Sequence, residues 1–162
     1  MQAGDTPLDA ARIAHLTRSY LAADYRWELS GEWHHLRIGH PEPNVEALYP
    51  DHLHFGLISA WDPHSVKRPE MVNRTADRAM QQDLQASGLP HRAAFSSAAN
   101  RSWREPSWLV VGIEALALDA LAHRFGQLGT LFWERGQPVR LRMYCAPPPG
   151  LGHLPFVDWL NG

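Results

Sequence analysis

Hydrophobic positions change their period several times along the chain, and each change marks an element. Ile13, Leu16 and Tyr20 recur at helical spacing behind Thr6 as a cap, Pro7 at the first helical position and Asp9 three residues after the cap. This predicts an N-terminal helix within residues 1–24. From Tyr25 the period is two: Tyr25, Trp27 and Leu29 alternate with Arg26 and Glu28, Ser30-Gly31-Glu32 turns, and Trp33 to Ile38 returns, so a hairpin follows. Between His40 and Pro50 the prolines at 41, 43 and 50 remove backbone donors, and a loop is expected there.

The strongest patterning lies between residues 54 and 143. HFGLISAW, over 54–61, is apolar on both faces and stops at Asp62-Pro63, as a central strand does. Val72, Ala76, Ala79, Met80 and Leu84 form the apolar side of a helix that starts near Pro69 and ends at Gly88. Residues 91–97 read as strand, 98–106 as a polar loop, and SWLVVG as a second buried strand. A second helix carries Ile113, Leu116, Ala117, Ala120, Leu121 and Phe125 on one face and stops at Gly126. Thr130 to Trp133 and Val139 to Met143 close with a hairpin around Gly136. The tail, 146–162, opens on the breaker run Pro147, Pro148, Pro149, Gly150 and extends away from the core, with Phe156 and Trp159 available to dock it again. Strand, helix, strand, strand, helix, strand is the split βαβ order. The expected fold is therefore α+β: one domain, a ferredoxin-like split βαβ sandwich with an antiparallel sheet and both core helices on one face, carrying an added N-terminal helix and β-hairpin.

Composition narrows the classes. At 162 residues and 44% hydrophobic content the chain is long enough for one core without disulfides. Its single cysteine, Cys145, fits a reducing compartment, and with neither a signal-like start nor an apolar run near 18 residues the expectation is a cytoplasmic protein with no membrane association. Fifteen basic against seventeen acidic side chains give a net charge of −2, which disfavours nucleic acid as a partner. Arg135, Arg140 and Arg142, interleaved with Phe132 and near Trp27 and Trp33, then read as protection of an edge strand.

In the expected topology one end of the sheet collects polar segments. The first core strand delivers Trp61, Asp62 and Ser65; the 98–106 loop brings Asn100, Arg101, Trp103, Arg104 and Glu105; the second helix ends there at Gln127. Asn73 and Arg74, with Arg68 close by, lie in the first turns of the first helix, where free N–H groups favour an anion. On this reading Asp62 and Glu105 orient a ligand or act as acid and base, Arg101 and Arg104 clamp an anion, and Ser65, Asn73 and Gln127 position it by hydrogen bonds, beside Trp61 and Arg74. Each residue also has a structural reading: Asp62 and Ser65 as caps, the arginines as solvated charges or partners of Glu105, Trp103 and Trp108 as packing, Gln127 as a partner for a free carbonyl.

The blocks 58–65, Asn73-Arg74, Trp103 to Val110 with Gly112, and Phe125-Gly126-Gln127 with Gly136 together resemble an uncharacterised bacterial family, domain of unknown function 3293, over about residues 20 to 143. Ser59, Asp62 and Val72 stand where that pattern has Thr, Asn and Glu, so position 62 carries a charge in place of an amide donor. The resemblance implies that the blocks belong together and supplies no activity.

Several chemistries are set aside. His52 and His54 share a strand face, yet no Cys or carboxylate stands at a zinc spacing, so no metal and no cofactor is expected. Cys145 has no local His or Asp partner, and the phosphate-binding, dinucleotide and serine-elbow motifs are missing. The leading expectation is a site for a small anionic or amide-rich ligand, of the nucleotide or phosphorylated-metabolite class, with the reaction unassigned. The alternative is a non-enzymatic protein-interaction domain that uses the Trp- and Arg-rich surface.

Overall fold

Helix α1 (Ala10–Ala22) leads into the hairpin β1 (Asp24–Leu29) and β2 (Glu32–Leu36), then α2 (Pro43–Leu48), β3 (His54–Ile58) and a single 3-10 turn at Pro63–Ser65. The chain continues through α3 (Glu70–Ser87), β4 (His91–Ser97), β5 (Arg104–Val111), α4 (Ala115–Arg124), β6 (Gly129–Glu134), β7 (Arg140–Met143) and β8 (Val157–Trp159). These elements come from a computed structural model that describes residues 8–98 and 104–160. Thr6 and Pro7, like Asn100, Arg101 and Trp103, lie outside the described residues. All eight strands form one sheet in the order β2-β1-β4-β5-β3-β6-β7-β8. Every neighbouring pair is antiparallel except β7 and β8. The protein is thus α+β, with four α-helices among the described residues.

Both faces of the central strands are covered, as the unbroken apolar run of 54–61 requires. On one face Met80 and Leu84 of α3 and Leu118 and Ala122 of α4 pack against Ile58, Val110 and Phe132. On the other, Phe55, Leu57, Leu109, Val111 and Leu131 meet Leu16 of α1 and Val45 of α2. The expected pair of helices on one face is α3 and α4, and the added N-terminal helix lies across the opposite face.

Four local expectations change. The cap of α1 is Asp9 itself, whose carboxylate accepts from the Arg12 N–H at 2.8 Å. The proline-bearing stretch after His40 holds helix α2, because Pro43 falls in its first turn, where a missing N–H costs nothing. Arg135 fixes that helix by donating to the carbonyls of Glu46, Tyr49 and His52. In α4 the buried face is Leu118 and Ala122, while Leu116 is 83% exposed; the run ALALDALA is apolar nearly all round, so its period does not single out a side. Finally, the tail returns to the sheet as β8, tied by two hydrogen bonds from Arg140 to Asp158 at 2.8 and 3.0 Å. Arg142 makes a similar fork onto Asp119, so the three arginines of the last hairpin all serve internal contacts.

One register detail positions the site. Strand β5 begins at Arg104, inside the expected loop, and pairs with β4 along its whole length. Its pairing with β3 stops at Ile58 opposite Trp108, and β3 leaves β6 at Leu57 opposite Leu131. Pro106 is tolerated in β5 because the side toward β3 is unpaired there. Where β3 ends early, a gap opens between residues 104–107 of β5 and the start of β6.

Candidate functional site

The chain that leaves β3 fills the rim of this gap with a strained turn. Asp62, His64 and Ser65 have φ of +39°, +53° and +59°, a left-handed region that costs a non-glycine residue about 1–2 kcal/mol. Neighbouring elements hold the turn in place. Asn73 in α3 accepts from the Asp62 N–H at 2.9 Å and donates to the Asp62 carboxylate at 2.8 Å. Arg68 donates from Nε to Asn73 Oδ1 at 2.5 Å and from Nη2 to the Ala60 carbonyl at 2.8 Å, and its backbone N–H reaches the Asp62 carboxylate at 3.1 Å. From the far side the His64 N–H donates to the Gly126 carbonyl at 2.8 Å, and Gln127 Nε2 donates to the carbonyls of Trp61 and Phe125 at 3.0 and 3.3 Å.

Helix α1 closes the gap from above. The hydroxyl of Tyr20 hydrogen-bonds that of Ser65, the Arg12 guanidinium donates to the Ser65 carbonyl at 3.4 Å, and the Tyr25 hydroxyl donates to the Tyr20 carbonyl at 2.5 Å. Beneath lies an inner pocket of about 70 Å³ with Leu57, Leu131 and Leu141 as its apolar wall and Ser59, Ser96, Ser107, Glu105 and Gln127 among its polar groups. Outside lies a cleft of about 230 Å³ bordered by His15, Ser19, Trp61, Asp62, Lys67 and Arg104. Tyr20, Ser65 and Glu105 line both.

Electrostatically the two spaces differ. Among the described residues the inner pocket has Glu105 and no basic residue, whereas His15, Lys67 and Arg104 border the outer cleft together with Asp62 and Glu105. Burial pushes the Glu105 carboxyl up to about 7; the nearby negative charge of Asp62 adds to this, and a hydrogen bond with Ser59 opposes it. Burial likewise raises Tyr20 to about 12 and lifts Tyr25 further. At neutral pH Glu105 is therefore a carboxyl poised between its two protonation states at the junction of a polar pocket and a charged cleft.

Of the residues singled out from sequence, Trp61, Asp62, Ser65, Arg104, Glu105 and Gln127 come together around these two spaces. Asn73 does not line them; at 1% exposure it is the buried clip behind the turn. Arg74 points elsewhere, paired with Glu70 on the exposed side of α3 at 2.6 Å. Arg104 borders the cleft, but its guanidinium lies over the rings of Phe95 and Trp33, 3.8 and 5.2 Å from their centroids. Arg101 is outside the described residues. Sequence reasoning missed Tyr20, Tyr25, Ser59, Ser96, Ser107, His15 and Lys67. A signal for one of the missed set existed: Ser107 shares the strand face of Glu105, Leu109 and Val111, so polar groups continue a core stripe past its apolar end.

Among the described residues no three His, Cys, Asp or Glu side chains gather as a metal set, and no helix is long and apolar enough to cross a membrane. Comparison with curated proteins and with solved structures gives no match. A family model does match: residues 58–129, running from the end of β3 to the start of β6 and thus containing the strained turn, Asn73, Glu105 and Gln127, match the model of the family described as Protein of unknown function (DUF3293).

Proposed function

We propose that the protein binds a small molecule bearing an anionic group, of the nucleotide or phosphorylated-metabolite class, in the gap left where β3 stops short. The observation that carries this reading is the early end of β3 between two longer neighbours, which leaves a polar pocket inside the sheet and, outside it, a cleft with Lys67 and His15 on its border. Lys67 and His15 attract the anion, and the stem of Arg104 lines the cleft; Ser65 and Gln127 orient the ligand; Trp61 supplies a flat wall. Glu105 is the group for any proton transfer, while Asp62 is committed to Asn73 and Arg68 and keeps the turn in shape. The fold supports this placement: β4-β5-β3-β6, joined through α3 and α4, has the strand order of a ferredoxin-like split βαβ unit. Lone Cys145 supports a reducing, cytoplasmic setting.

Thermal-shift measurement against nucleotides, phosphorylated metabolites and inorganic phosphate tests the proposal. A ligand at 100 times its dissociation constant adds about 2.7 kcal/mol, and Lys67→Glu should remove the shift. A uniform lack of response to anionic compounds overturns it. A second reading rests on Trp33, which is 38% exposed and packs edge-on against Phe95 at 4.7 Å beneath Arg104; such a Trp and Arg stack is the surface of a protein-interaction domain. Compound binding lost in Trp33→Ala and kept in Lys67→Glu would favour this surface.

A further inference from the structure

Ser107 is 5% exposed, and its hydroxyl has no hydrogen-bond partner among the described residues although it lines the inner pocket beside Glu105. A hydroxyl withdrawn from water and left alone is costly, so native proteins keep one where something else satisfies it. The groups around it are already engaged. Ser59 donates to the Pro106 carbonyl and accepts from the Trp61 N–H, Tyr25 donates to the Tyr20 carbonyl, and Tyr20 pairs with Ser65. Both partners of Gln127 Nε2 are carbonyls, which fixes the orientation of that amide and leaves its oxygen as an acceptor. What the pocket then offers is a hydroxyl at Ser107, an acceptor at Gln127 and the carboxyl of Glu105, which Ser59 also contacts, with Ser96 beside them.

Size and charge narrow the occupant. A space of about 70 Å³, against roughly 10–15 Å³ for one water, admits a group of about five non-hydrogen atoms. Among the described residues an anionic head would meet a carboxyl and no cation. An ammonium head would require an ionised Glu105, and burying that ion pair with few further donors and acceptors returns less than its desolvation costs. We propose, building on the ligand-site reading above, that the inner pocket takes an uncharged carboxamide head: its oxygen accepts from Ser107 and Glu105, and its nitrogen donates to the Gln127 oxygen. Burial, with Asp62, Tyr20 and Tyr25 as the titratable neighbours, favours the protonated Glu105 that this arrangement uses.

The test is an NMR titration of the full chain with acetamide, with acetate, methylammonium and inorganic phosphate as separate arms. Acetamide should shift the backbone signals of Ser96, Ser107 and Gly129, and acetate or methylammonium at the same concentration should leave them in place. Ser107→Ala should weaken acetamide binding about tenfold while its midpoint of thermal unfolding stays level or rises, since the lost hydroxyl has no protein partner. Equal binding of acetate or methylammonium, unmoved pocket signals, or full acetamide affinity in Ser107→Ala would overturn the head-group assignment. Phosphate shifting His15 and Lys67 without an acetamide response leaves the anion site standing and removes only the carboxamide. Acetamide binding with no phosphate response supports the carboxamide and removes the anion.

Discussion

Asn73 and Asp62 close a ring of two hydrogen bonds, amide nitrogen to carboxylate at 2.8 Å and backbone N–H to amide oxygen at 2.9 Å. Through that ring the first turn of α3 dictates the backbone of the segment that ends β3. The amide is irreplaceable there because it must accept from Asp62 and Arg68 while donating to a carboxylate.

Replacing Asn73 by Ala should therefore destabilise the protein by about 3 kcal/mol, since it strands the Asp62 N–H and one Arg68 donor in a buried setting. Asn73→Asp keeps the acceptor but sets a second carboxylate against Asp62. Its penalty should be large at neutral pH and shrink below about pH 4, where carboxylates protonate. Urea denaturation at both pH values measures the difference; equal loss at each would show that charge is not the cause.

Glu105 gives stability an unusual pH dependence. Its carboxyl rises from the ordinary 4.5 to about 7 on folding, so between those values the folded chain holds a proton that the unfolded chain has released. Folding stability from this group is fully present below pH 4.5, declines as pH rises through 7, and levels off above it. At about 1.4 kcal/mol per unit the loss is of order 3 kcal/mol. Glu105→Gln, neutral at every pH, should flatten this slope and exceed the unaltered protein in stability at pH 8. A Gln variant with the same slope would locate the titration in another group.

How much of this was legible in sequence follows from range. The strand and helix periods of residues 54–134 arise within single elements, so the order of the core was readable, as was the polar end that holds Asp62, Glu105 and Gln127. The crossing of α1 over the opposite sheet face depends on where a helix docks, and no local period encodes that; Tyr20, its hydrogen bond to Ser65 and the pocket beneath them were invisible for this reason. Asn73 was noticed as polar in a helix, but its role as a clip rather than a ligand follows from a partner eleven positions earlier. The start of β5 was missed because Arg104, Glu105 and Pro106 are poor strand formers, tolerated where one side of the strand is free.

Two nearby arginines should respond oppositely to removal. Arg74 is 65% exposed and paired with Glu70 one helical turn away, so Arg74→Ala should cost under about 0.5 kcal/mol and leave ligand binding intact. Arg68 ties Asn73 to the Ala60 carbonyl, and Arg68→Ala should cost about 2 kcal/mol. Chemical denaturation of the two single variants under one set of conditions checks the contrast, and a larger loss for Arg74 would refute it.

Gly126 tests whether the strained turn and the end of α4 are coupled by contact. Its φ is +64°, and an added Cβ would lie 2.9 Å from the Cβ of Pro63, inside the turn. Its carbonyl also receives the His64 N–H. Gly88 has a similar φ of +74° with nothing within 4 Å. Gly88→Ala should thus pay only the backbone cost, about 1 kcal/mol. Gly126→Ala should pay that and the displacement of Pro63, for a total of about 2 kcal/mol or more, and should weaken ligand binding because Ser65 and Trp61 move with the turn. Matched losses in the two variants, with binding retained in Gly126→Ala, would mean that the turn keeps its shape without the close approach.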